Sequence, residues 1–430
     1  MNTRTKRSAA MAAALLFAWC WSAHAQPARA DAPFDASLDL PTAVRLALAQ
    51  PGLRAAALEV AASEAAAGQA ASLPNPELGW LREGRDAGAR TTTVQLSQPI
   101  ELGGKRQARV ALARGEVALA RSELAARRRE VRADVIAAWH AVLAGQEQQR
   151  QAQALNGLAR RSVEVAARRV AAGKVSPIDE TRARLAAVDA ATELARADAE
   201  LAVARTRLGA LVGRPAVALV LAPQHDETLH EAPHEGLPVV PPLEALLARS
   251  GEPGAVGRAR SQLAAQEAQA GVERAARIPD LTLTVGSQRD DQVGRRQAVF
   301  GVSVPLPLFN RNQGRLTAAL RRTDKAREEL AAARVAADAA LAEARTRYDA
   351  ARNEATLLGR DVIPQARSAY DLTLTGFEAG KFAFLDVLDA QRTWYQAQSR
   401  HAAATLAAWR AWADIERLAG AAEPSTEITP

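Results

Sequence analysis

Two periodicities alternate along this chain. From Glu77 to Glu83 and from Arg90 to Gln98 the period is two: Leu78 and Trp80 lie two apart, and Thr92, Val94 and Leu96 alternate with Thr91, Thr93, Gln95 and Ser97. Such alternation predicts strands with one apolar and one polar face, joined by a turn over Gly84 to Gly88. Leu281, Leu283 and Val285, then Ala298, Phe300, Val302, Val304 and Leu306, predict a second pair around the charged turn Arg289-Asp290-Asp291. Between and after these pairs the period lengthens. Helical pattern runs from about Gly104 to Val170 and again from Gln313 to Leu374. The second run carries Leu341, Ala344, Tyr348, Ala351, Ala355, Leu358 and Val362, a heptad seam of 3-4 spacing. The first carries Val131, Val135, Ala138 and Val142. Each run is on the order of 100 Å long if helical throughout. It then reverses at Ala-Gly-Lys and returns on a shorter helix, 176–212 and 384–419.

These elements repeat as a set. Ala172-Gly173-Lys174 answers to Ala379-Gly380-Lys381, Pro99 to Pro305 and Gly213 to Gly420, at an offset of about 206–207. The chain therefore divides into a first repeat over 26–213, with a β-hairpin at 76–98 and a helical hairpin at 104–212. A second repeat spans 243–420, with a helix, a β-hairpin at 279–306 and a helical hairpin at 313–419. Two further helices precede the first hairpin, the second ending before Leu73-Pro74-Asn75-Pro76, because proline cannot continue a helix. Proline-rich residues 214–242 read as an irregular surface linker and 421–430 as a loose tail. A duplication of this length is a copied half-protein rather than a short stacked unit.

Residues 1–25 read as a secretory signal: Arg4, Lys6 and Arg7 precede an apolar run that ends at Ala23-His24-Ala25, with Ala28-Arg29-Ala30 as a second cleavage site. Losing them lowers the formal net charge from +7 to +4, and the remaining basic residues are spread along the helices, which argues against nucleic acid. Cys20, the only cysteine, lies in that segment, so disulfides and thiolate metal sites are not expected. No later apolar run is long enough for a transmembrane helix. The strands have the length that crosses a bilayer at a tilt, yet four strands cannot close a barrel, and an open edge is forbidden in lipid. Other copies of the chain must complete the hairpins.

A duplicated β-hairpin plus helical hairpin behind a signal resembles the TolC-like outer-membrane efflux family. The carriers are Leu73-Pro74-Asn75-Pro76, the stretch Ser97-Gln98-Pro99-Ile100-Glu101-Leu102-Gly103-Gly104-Lys105-Arg106, Val170-Ala171-Ala172-Gly173-Lys174, and Gly376-Phe377-Glu378-Ala379-Gly380-Lys381 followed by Leu385-Asp386-Val387-Leu388-Asp389-Ala390. The Glu-Leu-Gly-Gly-Lys-Arg stretch is most similar to the heavy-metal, CzcC-like branch. The resemblance implies a mainly α fold with a membrane β-barrel part: a homotrimer with a 12-stranded barrel and an α-helical periplasmic tunnel. It implies an outer-membrane duct for divalent cobalt, zinc or cadmium, with a periplasmic membrane-fusion adaptor and an inner-membrane RND pump as partners and no cofactor. Alternatives are the same duct serving drugs or secreted polypeptides and, in a different class, a periplasmic coiled-coil adaptor, which would have no need of lipid-facing strands. An enzyme is disfavoured: there is no glycine-rich phosphate loop, nucleophile–His arrangement or metal-hydrolase motif.

Candidate residues follow from both readings. Asp386 and Asp389 share one helix face. By resemblance, three copies make acidic rings that favour cations at the tunnel mouth; the alternative is that they complement the helix macrodipole. Asp179 follows Ser176-Pro177 and serves either as part of a helix start or in the gate. Phe377 and Phe382 stand where the resemblance places the gate's tyrosine and arginine, so the mouth would close by apolar packing. Gly173, Lys174, Gly380 and Lys381 mark turns, and by resemblance docking points for the adaptor. His225, His230 and His234 crowd one loop with Asp226, Glu227, Glu231 and Glu235; the donor set suits zinc, cobalt or nickel, while the irregular spacing and Pro233 fit a solvated linker. Trp80 reads as a membrane-interface anchor or plain packing.

Overall fold

A computed structural model describes residues 38–84, 90–215, 236–249 and 254–419. In chain order the elements are α1 (Leu40–Leu48), α2 (Pro51–Ala70), β1 (Glu77–Glu83), β2 (Thr91–Ile100), α3 (Lys105–Ala171), α4 (Pro177–Val212), α5 (Leu243–Arg249), α6 (Gly254–Ala275), β3 (Leu281–Asp290), β4 (Arg295–Ser303), α7 (Gln313–Leu357), α8 (Ile363–Glu378) and α9 (Phe384–Ala419). The duplication extends further than the sequence pattern suggested. Two helices, not one, precede the second hairpin, so α5 and α6 answer to α1 and α2.

All four strands form one antiparallel sheet in the order β1-β2-β3-β4, so the two repeats meet at the β2–β3 ladder. Register fixes the faces, because directly opposed residues point the same way. Trp80 lies opposite Val94, Leu78 and Val285 opposite Leu96, and Phe300 opposite Val285. This apolar face is the exposed one: Trp80 is 66% and Phe300 80% accessible. The hydroxyl and amide face is crowded instead. Thr93 is 8% accessible, and Ser97 Oγ lies 3.1 Å from Thr284 Oγ1. Gly286 sits there because a Cβ would collide with the Val94 carbonyl and with Gln95. The sheet thus exposes its apolar face and crowds its polar one, the reverse of a water-soluble sheet. β3 runs on through Asp290, which faces Arg295 across the ladder, so the charged turn falls later than Arg289-Asp290-Asp291 predicted.

Elbows join sheet to helix. In the first repeat Gly103 and Gly104 take left-handed φ values of 71° and 74°; Gly103 lies against Ile278, where a side chain would clash. Glu101 receives Arg109, and Asp280 receives Lys105 at 2.7 Å. The second elbow uses Asn312 (φ 58°), whose side-chain amide donates to Glu273 O and Glu273 Oε2. Asparagine tolerates this conformation better than most residues.

α3 runs unbroken for 67 residues. Its counterpart does not, which corrects the expectation of continuous helix from Gln313 to Leu374. A π-turn over Leu358–Val362 separates α7 from α8, with Ile363 N–H bonding Leu358 O. Pro364 supplies the reason: it donates no N–H, and its ring clashes with a carbonyl four residues back in regular helix. The extra residue rotates Val362 out of the heptad seam, and it is exposed while Leu341, Ala344, Tyr348 and Leu358 stay buried.

Shorter helices line each long one: α2, α4 and α6 pack on α3, and α6 and α9 pack on α7. Two related cores fill the middle. One joins Ala43 and Ala47 of α1 to Val135, Trp139, Leu201 and Leu208; the other joins Leu246 of α5 to Leu341, Tyr348, Ala408 and Ile415. The end of the linker belongs to the second core rather than to an irregular surface. Val240 is buried, Tyr348 donates to Pro238 O, and Arg345 to Val240 O at 3.0 Å. Apolar lines remain uncovered on the outer helix faces: Ile178, Leu185 and Val188 on α4, and Leu357, Val362 and Leu372 along the second arm.

His140 is stacked on Trp409 with ring centroids 3.6 Å apart. Burial depresses its pKa from 6.5 to about 4. The unfolded chain therefore takes up this proton first, and the stability that depends on neutral His140 is complete above pH 6.5 and falls as pH drops toward 4. The loss is up to about 3 kcal/mol. His140→Phe keeps the stack and removes the titration. Between pH 7 and pH 4 its melting temperature, followed by circular dichroism, is expected to fall less than that of the wild type; equal slopes would contradict this assignment.

Candidate functional site

The two helical hairpins end in the same turn. Gly173 N–H bonds Val170 O and Lys174 N–H bonds Arg169 O; Gly380 N–H bonds Phe377 O and Lys381 N–H bonds Gly376 O. Both are Schellman turns with a left-handed glycine, φ 67° and 76°. Nothing lies within 4 Å of a Cβ added at either glycine, so backbone conformation alone selects glycine here. Lys174 and Lys381 project into solvent.

The tips are held side by side by an apolar cluster. Ala166 of α3 and Ala183 of α4 meet Tyr370 and Phe377 of α8 and Val387 of α9. Phe377 is thus buried inside one chain, packed between the repeats, whereas Phe382 is half exposed. The Phe382 ring lies against Gly376, filling the space of a missing side chain. Sequence reasoning grouped these two phenylalanines; the structure gives them different surroundings. It missed Arg169, whose Nη2 donates to Phe377 O at 2.9 Å and whose guanidinium carbon sits 4.1 Å from the Phe377 ring centroid.

The acids begin α4 and α9. At the repeat offset Asp179 corresponds to Asp386, but Arg182 corresponds to Asp389. Ser176 caps α4 by accepting the Ile178 N–H at 3.4 Å, and Arg182 lies 3.7 Å from Asp179. The first-repeat acid is therefore locally balanced. Asp386 accepts the Ala383 N–H at 3.0 Å, so it does complete a helix start. Yet Asp386 and Asp389 are both exposed and on one face, so the surplus negative charge belongs to the second repeat. That signal was readable by laying one repeat over the other.

Between α4 and α9, back along the helices from the tips, runs a groove of about 580 Å³ lined by Leu155, Asp189, Glu193, Leu388, Gln391 and Tyr395. Gln391 is buried there, and its Oε1 has no hydrogen-bond partner among the described residues. His225, His230 and His234 lie outside the described residues, and among those described no cluster of three or more His, Cys, Asp or Glu could hold a metal. No described helix is long and apolar enough to cross a membrane.

Residues 43–214 and 253–421 match the family described as outer membrane efflux protein. The chain belongs to that family. The two matched segments follow the two repeats. The cobalt-zinc-cadmium resistance protein CzcC of Cupriavidus metallidurans is 41% identical over 368 residues, covering 86% of either chain. The nickel and cobalt resistance protein CnrC of the same organism is 30% identical over 305 residues, 69% of either chain. A membrane protein from Pseudomonas aeruginosa has the same fold at 22% identity, with a TM-score of 0.76 over 92% of this chain and 98% of that one. As an outer membrane efflux protein, the chain has in its sheet its only described element suited to lipid.

The tip turns are testable on conformational grounds. Gly173→Ala and Gly380→Ala are each expected to cost about 1 kcal/mol, with Asn at the same positions costing less. Denaturant melts of the four variants check this; an alanine variant as stable as wild type would show that the left-handed turn is not required.

Proposed function

We propose that three copies of this chain form a passive outer-membrane duct that exports divalent heavy-metal cations of the cobalt, zinc and cadmium type. The observation that carries the reading is the sheet, apolar and exposed on one face, polar and crowded on the other, with β1 and β4 unpaired along their outer edges among the described residues. In lipid such edges must be closed. Three sheets of four strands closing edge to edge make a barrel with its apolar face outward. The uncovered lines on α4 and on the α7–α8 arm would be covered by neighbouring copies in the same assembly. The 41% identity to the cobalt-zinc-cadmium resistance protein supports the choice of cargo.

In this reading the duct performs no chemistry. An inner-membrane RND pump supplies the energy and a periplasmic adaptor joins the two, docking at Gly173-Lys174 and Gly380-Lys381. Asp386 and Asp389, three copies of each, ring the periplasmic mouth and favour cations. Asp179, balanced by Arg182, contributes to helix starting more than to the field. Phe377 and Phe382 supply apolar packing that keeps the mouth narrow.

Deleting the gene is expected to sensitise cells to zinc, cobalt or cadmium and to raise retained metal. Unchanged metal tolerance with increased antibiotic sensitivity would reassign the cargo to drugs. In planar bilayers Asp386→Ala with Asp389→Ala is expected to weaken cation preference; unaltered selectivity would remove the acidic rings from the account.

A further inference from the structure

Resting on the reading of the sheet as one third of a lipid-embedded barrel, we propose that its outer rim carries a binding row for the phosphates of anionic lipid in the outer leaflet. The row is Arg82 of β1, Arg289 of β3 and Arg296 of β4. Register brings them to one level and one face: Arg82 lies opposite Thr92, Thr92 opposite Arg289, and Arg289 opposite Arg296. That face is the apolar, exposed one. Two residues nearer the elbows it carries Trp80, Val94 and Ala298, and two further on Leu78, Leu96, Val285 and Phe300. The arginines therefore sit about 7 Å beyond Trp80 and about 20 Å from Leu283 and Val302 at the other end of the apolar band. All three are exposed. Both hairpin turns follow at once, at the end of the sheet away from the helices. In the duct this row marks the boundary of the band on the side facing out of the cell.

Charge at this level is sorted by face. The adjoining row on the other face, Glu83, Thr91, Asp290 and Arg295, holds two acids and one cation, whereas the lipid face holds three cations and no acid. The arginines also lack sufficient counter-charge within the chain. Arg289 Nε donates to Asp291 Oδ1 at 3.1 Å, while Arg82 and Arg296 have no ion-pair partner among the described residues. Like charges directly opposed on an antiparallel pair destabilise it, so Arg289 against Arg296 calls for an anion between them. A phosphate fits, because a guanidinium presents paired, planar N–H donors that match its oxygens. Neighbouring strands lie about 4.8 Å apart, so Arg289 and Arg296 can share one phosphate, and Arg82, roughly 10 Å from Arg289, reaches a second. Lipid satisfies both demands of this place, with acyl chains against Trp80 and Phe300 and phosphate at the arginines. A soluble anion satisfies only one.

The test titrates purified full-length trimers in neutral detergent micelles with bisphosphorylated lipid A and counts bound molecules by native mass spectrometry. Wild type is expected to bind one molecule for each copy of the row, with an affinity that falls as sodium chloride is raised. Arg82→Gln, Arg289→Gln and Arg296→Gln together are expected to weaken binding about 100-fold, each arginine near an anionic surface being worth roughly five-fold. Lysine at the same three positions is expected to recover part of the effect, since it keeps the charge but not the planar fork. Arg321→Gln, on the exposed surface of α7, is expected to change nothing. Equal binding by wild type and the triple glutamine variant would overturn the row, as would complete displacement of lipid A by an equimolar amount of inorganic phosphate. If the triple variant does not assemble, Arg296→Gln alone decides: about five-fold weakening supports the row, and wild-type affinity overturns it. A wild-type chain that stays monomeric in detergent would instead sink the barrel reading, and the row with it.

Discussion

Everything in this molecule is subordinate to a sheet that is inside out. Apolar side chains from Leu78 to Val302 are exposed on one face, and threonines, serines and glutamines crowd the other. In water that arrangement is unfavourable, since each large apolar side chain left exposed forgoes about 1.5–3 kcal/mol of burial. In a bilayer it is the required one, provided no edge is left unpaired. The described residues of one chain supply four strands and two open edges, so the sheet is closed only in an assembly. The long helices carry the same message in weaker form: they bury one seam within the chain and leave another uncovered.

Duplication meets this demand and then departs from symmetry at a few positions. The repeats share their short leading helices, hairpins, long helices and Schellman tips. They differ at the elbows, where Gly103-Gly104 is replaced by Asn312. They differ along the arms, where Pro364 forces a π-turn into the second only. At the tips, Arg182 beside Asp179 becomes Asp389 beside Asp386, and Arg169 becomes Gly376. Near-equal halves give the frame, and a few unequal positions give one half a surplus charge and a π-turn.

Much of this was legible in the sequence because it depends on local period. Strict alternation from Thr91 to Ser97 and from Leu281 to Val285 located the strands, and Ala-Gly-Lys located both tips. The heptad seam through Tyr348 and Leu358 was also visible, but its end was not. Pro364 lies within a pattern that otherwise continues, and only backbone geometry shows an extra residue being accommodated rather than the helix ending. The end of the linker was misread because six prolines suggest solvent, whereas Val240 and Pro238 are held by Arg345 and Tyr348, more than a hundred residues away. Arg169 escaped for the same reason: its partner is 208 residues distant, and one arginine among many on a long helix carries no local mark.

The central claim is that the apolar face of this sheet meets lipid and the polar face meets the duct. Single spin labels placed in turn from Thr91 to Gln98, in trimers reconstituted into vesicles, test it through collision with oxygen, which partitions into lipid, and with a water-soluble nickel chelate. The account predicts a period of two, with positions 92, 94 and 96 oxygen-accessible and positions 93, 95 and 97 reached by the chelate. Equal accessibility along the strand, or the opposite phase, would contradict it.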